Sequence, residues 1–230
     1  MELDILFEDN ELLVVNKPPG LLMHASSIAK DVDENLVDLL KKQLGYSIFT
    51  IHRLDRKTSG AVIIGKRSEI ASVLAKQFAS RTIEKRYLAI VRGYLLEEVF
   101  LDYSLKNENG NEQNAQTLFK PLKYAEIDIE TAKYPTTRFT LVEAYPKTGR
   151  MHQIRRHLAH LRHYIVNDKP HGDCKLNNAF TRDFGYKTMM LHAKKVTFIH
   201  PVSNEELIIK APLPKEFDYL QKHLAWKNKI

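Results

Sequence analysis

The stretch that most constrains the fold is Ala61-Val62-Ile63-Ile64, four apolar residues closed by Gly65. A run this short and this rich in β-branched side chains predicts a buried strand. Thr58-Ser59-Gly60 just before it reads as a turn. Upstream of the turn stands His52-Arg53-Leu54-Asp55-Arg56-Lys57, one carboxylate among three cations and a histidine. Asp55 is therefore expected on a loop that feeds a core strand, fixed by the scaffold and reachable by a ligand. An oriented carboxylate of this kind serves as a nucleophile or a base. The competing reading for an aspartate among cations is a surface ion pair.

Other segments supply the cover that strand needs. Ile5 to Glu8 and Leu12 to Asn16, separated by Asp9-Asn10-Glu11, predict a β-hairpin, and Lys17-Pro18-Pro19-Gly20 the turn that ends it. Asn35 to Leu44 carries Leu36, Val37, Leu39, Leu40 and Leu44 at helical spacing, with Gly45 as C-cap. Ser68 is expected to cap a helix running to about Ser80, its apolar face formed by Ile70, Val73, Leu74, Gln77 and Phe78. Ile83 to Gly93 reads as a strand with Tyr87, Ala89 and Val91 on one face. Lys106 to Gln116, rich in Asn, Glu and Gln, predicts a mobile surface loop. Leu122 to Glu130 and Thr137 to Ala144 are strand candidates. Pro146-Lys147-Thr148-Gly149 turns the chain, and His163 to Asp173 reads as a turn of mixed polarity. Leu191 to His200 alternates, and is expected to pair with Leu207 to Ile209 through a turn at Pro201–Asn204. A short helix from about Glu216 to Trp226 ends the chain.

Met151, Ile154, Leu158 and Leu161 lie at helical spacings, which predicts a helix from Arg150 with an apolar stripe. From Lys147 to Lys169 the chain carries six cations, Lys147, Arg150, Arg155, Arg156, Arg162 and Lys169, against one acid, Asp168. Such density repels itself unless an anion or a buried carboxylate compensates. His152, His157, His160 and His163 fall in the same stretch, but no His-Glu-x-x-His or comparable pattern accompanies them, so no metal is expected.

Several of these stretches together resemble the RluA-type pseudouridine synthases. His52-Arg53-Leu54-Asp55-x-x-Thr58-Ser59-Gly60 is similar to their signature loop, and Asp55 falls on their catalytic aspartate. Asn16-Lys17-Pro18-x-Gly20 resembles their N-terminal motif, whose family role is to shape the sheet beneath the active site. Lys85-Arg86-Tyr87-x-Ala89-x-Val91-x-Gly93 resembles the motif that holds an active-site tyrosine, which falls on Tyr87. Thr148-Gly149-Arg150-x-His152-Gln153-Ile154-Arg155 resembles the third motif, and Arg155 falls on the arginine that pairs with the catalytic aspartate. Leu191-His192-Ala193 matches as well, and implies that Leu191 packs beside the bound uracil. The resemblance runs along nearly the whole chain. One departure is the Lys106–Gln116 stretch, which has no residue-for-residue counterpart.

The resemblance implies an α+β pseudouridine synthase fold, a mixed, mainly antiparallel central sheet flanked by helices and loops. It implies one catalytic domain over residues 1–230. The Asn-Lys-Pro motif begins at residue 16, so no S4-like RNA-binding domain is expected before it. The implied reaction turns uridine into pseudouridine in RNA: N1–C1′ breaks, the uracil turns, and C5 bonds to C1′. Nothing is oxidised and no group leaves, so no cofactor is implied, in keeping with a sequence that lacks a P-loop or dinucleotide motif. Arg53 is placed to fill the gap left by a flipped nucleotide and to contact phosphate. Arg150, Arg156 and Arg162 are the expected RNA-binding cations. Tyr134-Pro135-Thr136-Thr137-Arg138 and the Pro146–Leu161 features look most like the TruC branch, which acts on a T-stem uridine of tRNA. An rRNA-directed synthase of the same family is the alternative.

Charge and composition agree. Thirty-five Lys and Arg against 28 Asp and Glu leave +7, which favours an anionic partner such as nucleic acid. A single cysteine, Cys174, excludes an intrachain disulfide and a Cys-based zinc site. The acidic start Met1-Glu2-Leu3-Asp4 is not a signal peptide, and no apolar run approaches a membrane span, so a cytoplasmic monomer acting on tRNA is expected. A non-catalytic RNA-binding module need not combine Asp55, Tyr87 and Arg155, and a metal-dependent nuclease would need carboxylates clustered around the signature loop.

Overall fold

The structure is a computed structural model and describes residues 1–25, 34–131 and 135–228; Tyr134 of the branch motif lies outside the described residues. The chain begins with β1 (Asp4–Glu8), β2 (Leu12–Lys17), α1 (Leu36–Leu44), β3 (Phe49–Thr50), β4 (Ser59–Gly65) and α2 (Ser68–Ala79). There follow β5 (Glu84–Arg92), β6 (Val99–Asp102), β7 (Leu105–Lys106), β8 (Glu112–Gln113), β9 (Gln116–Ile127) and β10 (Thr137–Pro146). The remainder is α3 (Gln153–His160), α4 (Cys174–Phe184), β11 (Leu191–Ile199), β12 (Glu206–Lys210) and α5 (Lys215–His223). These are the elements of an α+β fold, its strands mainly antiparallel. Two compact units form, one from Met1–Lys85 with Ala193–Leu213 and one from Arg86–His192 with Pro214–Ile230. Among the described residues no helix is long and apolar enough to cross a membrane.

In the first unit the strand order is β1-β2-β4-β11, with β3 on β4 and β12 on β11. Every residue of β4 is buried, as its uninterrupted apolar run requires. β2 pairs antiparallel with it, Val14 opposite Ile63 and Asn16 opposite Ala61. Leu12, Val14, Ala61 and Ile63 form one core with Ile70 and Leu74 of α2 and Val196 and Phe198 of β11. Each such side chain contributes roughly 1.5–3 kcal/mol by leaving water. The hairpin turn is set by Asp9, whose Oδ1 accepts the amides of Glu11 and Leu12 at 2.7 and 2.9 Å. Gly45 ends α1 at φ 79°, as the sequence predicts, and Asn35, one residue before the helix, caps its start. Ser68 does not cap α2. Arg67 holds that position without a side-chain bond, and Ser68 sits inside the first turn with its Oγ donating to Glu69.

The second unit orders its strands β5-β10-β9-β6. β9 begins six residues before the expected Leu122 and passes through Pro121. Proline has no amide hydrogen to give a ladder, and the register of β9 against β10 shifts there, with Leu141 opposite Lys123 and Val142 opposite Pro121. Lys106–Gln116 is not an unstructured loop. It holds the β7–β8 hairpin, and Asn107 builds its tip by accepting the amides of Asn109 and Asn111 on Oδ1. α3 starts at Gln153 rather than Arg150, because His152 takes a left-handed conformation at the N-cap. Helix α4 was not expected. Asp173 caps it through the amides of Lys175 and Leu176, Leu176, Ala179 and Phe180 are buried, and Gly185 ends it.

Candidate active site

Asp55 belongs to the first unit, on the loop between β3 and β4, where Leu54 points into the core, Asp55 is half-buried and Arg53 is exposed. The loop is tied down at both ends. At its start, His52 Nε2 accepts the Ile63 amide at 2.9 Å, so the ring carries its proton on Nδ1. The imidazole stacks on Phe78 with centroids 4.5 Å apart. Desolvation of the ring, with the Lys85 charge adding to it, holds the His52 pKa at about 3. At physiological pH it is a neutral strut.

The loop's far end is held by Lys17. The sequence assigns the Lys17-Pro18 motif to a turn, and the turn is there. The side chain, however, is fully buried (0% exposed), and Nζ donates to three carbonyl oxygens: Pro18 at 3.0 Å, Arg56 at 3.0 Å and Thr58 at 2.7 Å. Two of these acceptors belong to the loop that carries Asp55. The same carbonyl of Arg56 also receives the Gly20 amide at 2.8 Å, and Arg56 Nε returns a bond to the Gly20 carbonyl. Thr58 closes a turn onto the Asp55 carbonyl at 3.0 Å. Burial pulls the Lys17 pKa down to about 7, with the charge of Asp55 pulling the other way. Gly60 follows at φ 112°, and a Cβ there would stand 2.3 Å from the Ala193 carbonyl oxygen, so only glycine fits.

In the second unit, Tyr87 lies on β5 opposite Ala144 of β10. Its neighbour Arg86 pairs with Glu143 at 3.0 Å. Arg155 is buried on α3 (4% exposed), and its Nε and Nη2 form a two-pronged pair with Asp168 (1% exposed) at 2.7 and 2.8 Å. Asp168 is thus the buried carboxylate that the cationic stretch requires, thirteen residues beyond its partner. Its backbone is fixed in turn. Asn177 Nδ2 donates to its carbonyl at 2.9 Å, and a Cβ at Gly172 would stand 2.0 Å from that same oxygen. His152 and His171 meet beside this pair, Nδ1 to Nε2 at 2.9 Å, and burial with the nearby Arg155 charge lowers the His171 pKa. Leu191 is buried at the start of β11.

The expected RNA-binding arginines are on the same unit. Arg162 is exposed just past α3. Arg156 Nη1 donates to the Lys106 carbonyl at 2.9 Å and Arg150 Nε to that of Asn114 at 3.0 Å. Both therefore grip the β7–β8 segment as well as presenting charge. Sequence reasoning missed two residues that hold the Asp55 loop: Lys17 and His52 stand inside the motifs without a role of their own.

Mainly antiparallel strands with flanking helices, and Asp55 on an anchored loop, are what the resemblance to the RluA-type synthases implies, and the comparisons show the family. The family model for RNA pseudouridylate synthase matches residues 11–160, and the chain belongs to that family, whose members isomerise uridine to pseudouridine in RNA. It is 42% identical to a tRNA pseudouridine synthase C of Vibrio parahaemolyticus, over 100% of this chain and 98% of that protein. It is 41% identical to one of Salmonella typhi, over 98% of this chain and 91% of the relative. Human RNA Pseudouridylate Synthase Domain Containing 1 shares the fold with a TM-score of 0.76 at 22% identity, covering 100% of this chain and 90% of that one. Domain Containing 4 does so at 0.74 and 24%, covering 99% and 95%.

Proposed function

We propose that this enzyme isomerises one uridine of tRNA, in the T stem, and that Asp55 is its essential carboxylate. The observation that carries the reading is similarity to proteins named tRNA pseudouridine synthase C along almost the full length of both chains. The T stem rests on the branch resemblance. The match at residues 11–160 draws on both compact units, which supports treating 1–230 as one catalytic domain. A monomer in the cytoplasm completes the proposal.

The chemistry conserves atoms and electrons. N1–C1′ breaks, C5–C1′ forms, the C5 proton leaves and N1 gains one, so no oxidant and no group donor is consumed. The uridine leaves the stack before any of this, at a cost of roughly a few kcal/mol. Asp55 works at the sugar, as nucleophile or base. Arg155, whose Nε and Nη2 are held by Asp168, falls on the arginine that the resemblance pairs with the catalytic carboxylate. Tyr87 stacks on the base, with its phenol ready to accept or relay the C5 proton, while Leu191 packs beside the uracil. Arg53 fills the space the nucleotide vacates and contacts phosphate. Arg150, Arg156 and Arg162 supply salt-dependent affinity.

Tritium at C5 of uridine tests this directly, since the C5 hydrogen must pass to water. Unmodified tRNA transcripts should release tritium with the wild-type enzyme and rRNA fragments should not. Release from rRNA alone would refute the substrate assignment.

A further inference from the structure

We infer that the face of α3 carrying His160, together with Tyr103, is a stacking platform for an unpaired base of the substrate RNA. The inference rests on RNA being the substrate and adds a site outside the catalytic motifs. The rings of Tyr103 and His160 stack with centroids 3.9 Å apart and planes 24° from parallel. Tyr103 nonetheless leaves 44% of its surface exposed, and His160 is exposed too. Two stacked rings facing water form a flat π surface, which any nucleobase can cover without sequence preference.

The platform is built rather than incidental. The Tyr103 amide donates to the Ala115 carbonyl at 3.0 Å. Its own carbonyl accepts from Nε2 of buried His157 at 3.0 Å, which fixes that ring's proton on Nε2 and leaves Nδ1 to Thr117 Oγ1. Burial lowers the His157 pKa, consistent with a neutral strut. The backbone under Tyr103 is thus held from both sides, so little freedom is lost when a base lands on the ring.

Charge around the platform fits a polyanion. Arg156 lies one helical turn before His160, Arg162 two residues after it, and Arg150 grips the adjoining segment. Among the nearby acids, Asp102 accepts from Gln116 Nε2 at 2.8 Å, Glu112 stands opposite Lys106 across the hairpin, and Glu108 is in its tip. A cationic rim around an exposed aromatic pair points to a stacked base between two phosphates.

The test measures dissociation constants for an unmodified tRNA transcript with wild type, Tyr103→Ala, Tyr103→Leu and Tyr103→Phe. Loss of one stacking partner should weaken binding about tenfold or more in Tyr103→Ala. Tyr103→Phe should stay within about threefold of wild type, and Tyr103→Leu should behave as Ala does, because a leucine has no π face. Arg162→Ala should lower the slope of affinity against salt by about one, while Tyr103→Ala leaves that slope unchanged. An Ala variant within about twofold of wild type overturns the platform, and so does a Leu variant that binds as tightly as Phe. Tritium release by the wild-type enzyme reports on the proposed function separately. Absence of any affinity for the transcript in wild type would overturn both.

Discussion

Replacing Lys17 with methionine isolates the cost of holding a cation inside the fold. Lys17 has no exposed surface, and burial takes its pKa from 10.5 to about 7. Between those two values the unfolded chain keeps a proton that the native chain has released. The unfolded state then binds more protons, so stability rises with pH across that window. At about 1.4 kcal/mol per unit the whole span amounts to roughly 5 kcal/mol, and below pH 7 the native state bears all of it. Methionine removes the titration and keeps most of the stem. It also withdraws a donor from the carbonyls of Pro18, Arg56 and Thr58, each loss costing about 1–3 kcal/mol where no other donor replaces it. The Arg56 carbonyl still has the Gly20 amide. These effects oppose each other near pH 7, so the pH dependence of the difference carries the test. Urea unfolding of both proteins from about pH 7 to pH 10 should show wild type gaining on Lys17→Met by about 1 kcal/mol per pH unit. Groups common to both, such as Lys85, cancel in the difference. Because the Asp55 charge raises the Lys17 pKa, the gain should begin at lower pH in an Asp55→Asn background. A difference that stays flat within about 1 kcal/mol would show that the ammonium is not desolvated, and the argument fails.

Asp55→Asn should abolish tritium release and leave RNA affinity largely intact; turnover within about tenfold of wild type would remove Asp55 from the chemistry. Arg155→Ala should lose roughly 3–5 kcal/mol of stability because it strands Asp168, and Asp168→Asn should recover part of that. A double-mutant cycle of Arg155→Ala with Asp55→Asn then isolates the proposed catalytic pairing, and a coupling near zero would exclude it. Below pH 6.5 the unfolded chain protonates His52 while the native ring, with its pKa at about 3, resists, so stability falls as pH drops through that window. His52→Gln should flatten this acid limb of the unfolding curve; an unaltered limb would mean the ring is not desolvated.

The parts of the fold that could be read from sequence are those where one local rule decides. The apolar run of β4 and the C-cap of α1 are fixed by residues within a few positions of one another. The turn expected at Thr58-Ser59-Gly60 instead falls at Arg56-Lys57, because Ser59 and Gly60 already pair in β4. Helix α4 carries the same kind of signal in Asp173, Leu176, Phe180 and Gly185, but Asn177, Asn178 and the charges between them dilute the apolar spacing. The β7–β8 hairpin was illegible for another reason. Strands of two residues have no period, and the arginines that anchor them, Arg150 and Arg156, come from 36 and 50 residues away. For the candidate site, motif resemblance singles out Asp55, Tyr87 and Arg155. It could not show a lysine sealed in the interior, since lysine is almost never fully buried without special partners, and Lys17 finds them in backbone oxygens.

The attachment of the β7–β8 hairpin has a consequence for how such a chain changes over generations. Arg156 and Arg150 hold it by the carbonyl oxygens of Lys106 and Asn114, not by their side chains. A carbonyl is present whichever residue stands at the position. Substitutions along the hairpin can therefore accumulate while its anchorage persists, and the segment is free to explore new surfaces against a nucleic acid. The arginines have no such latitude: a change at either one removes one of the two side-chain anchors of the segment.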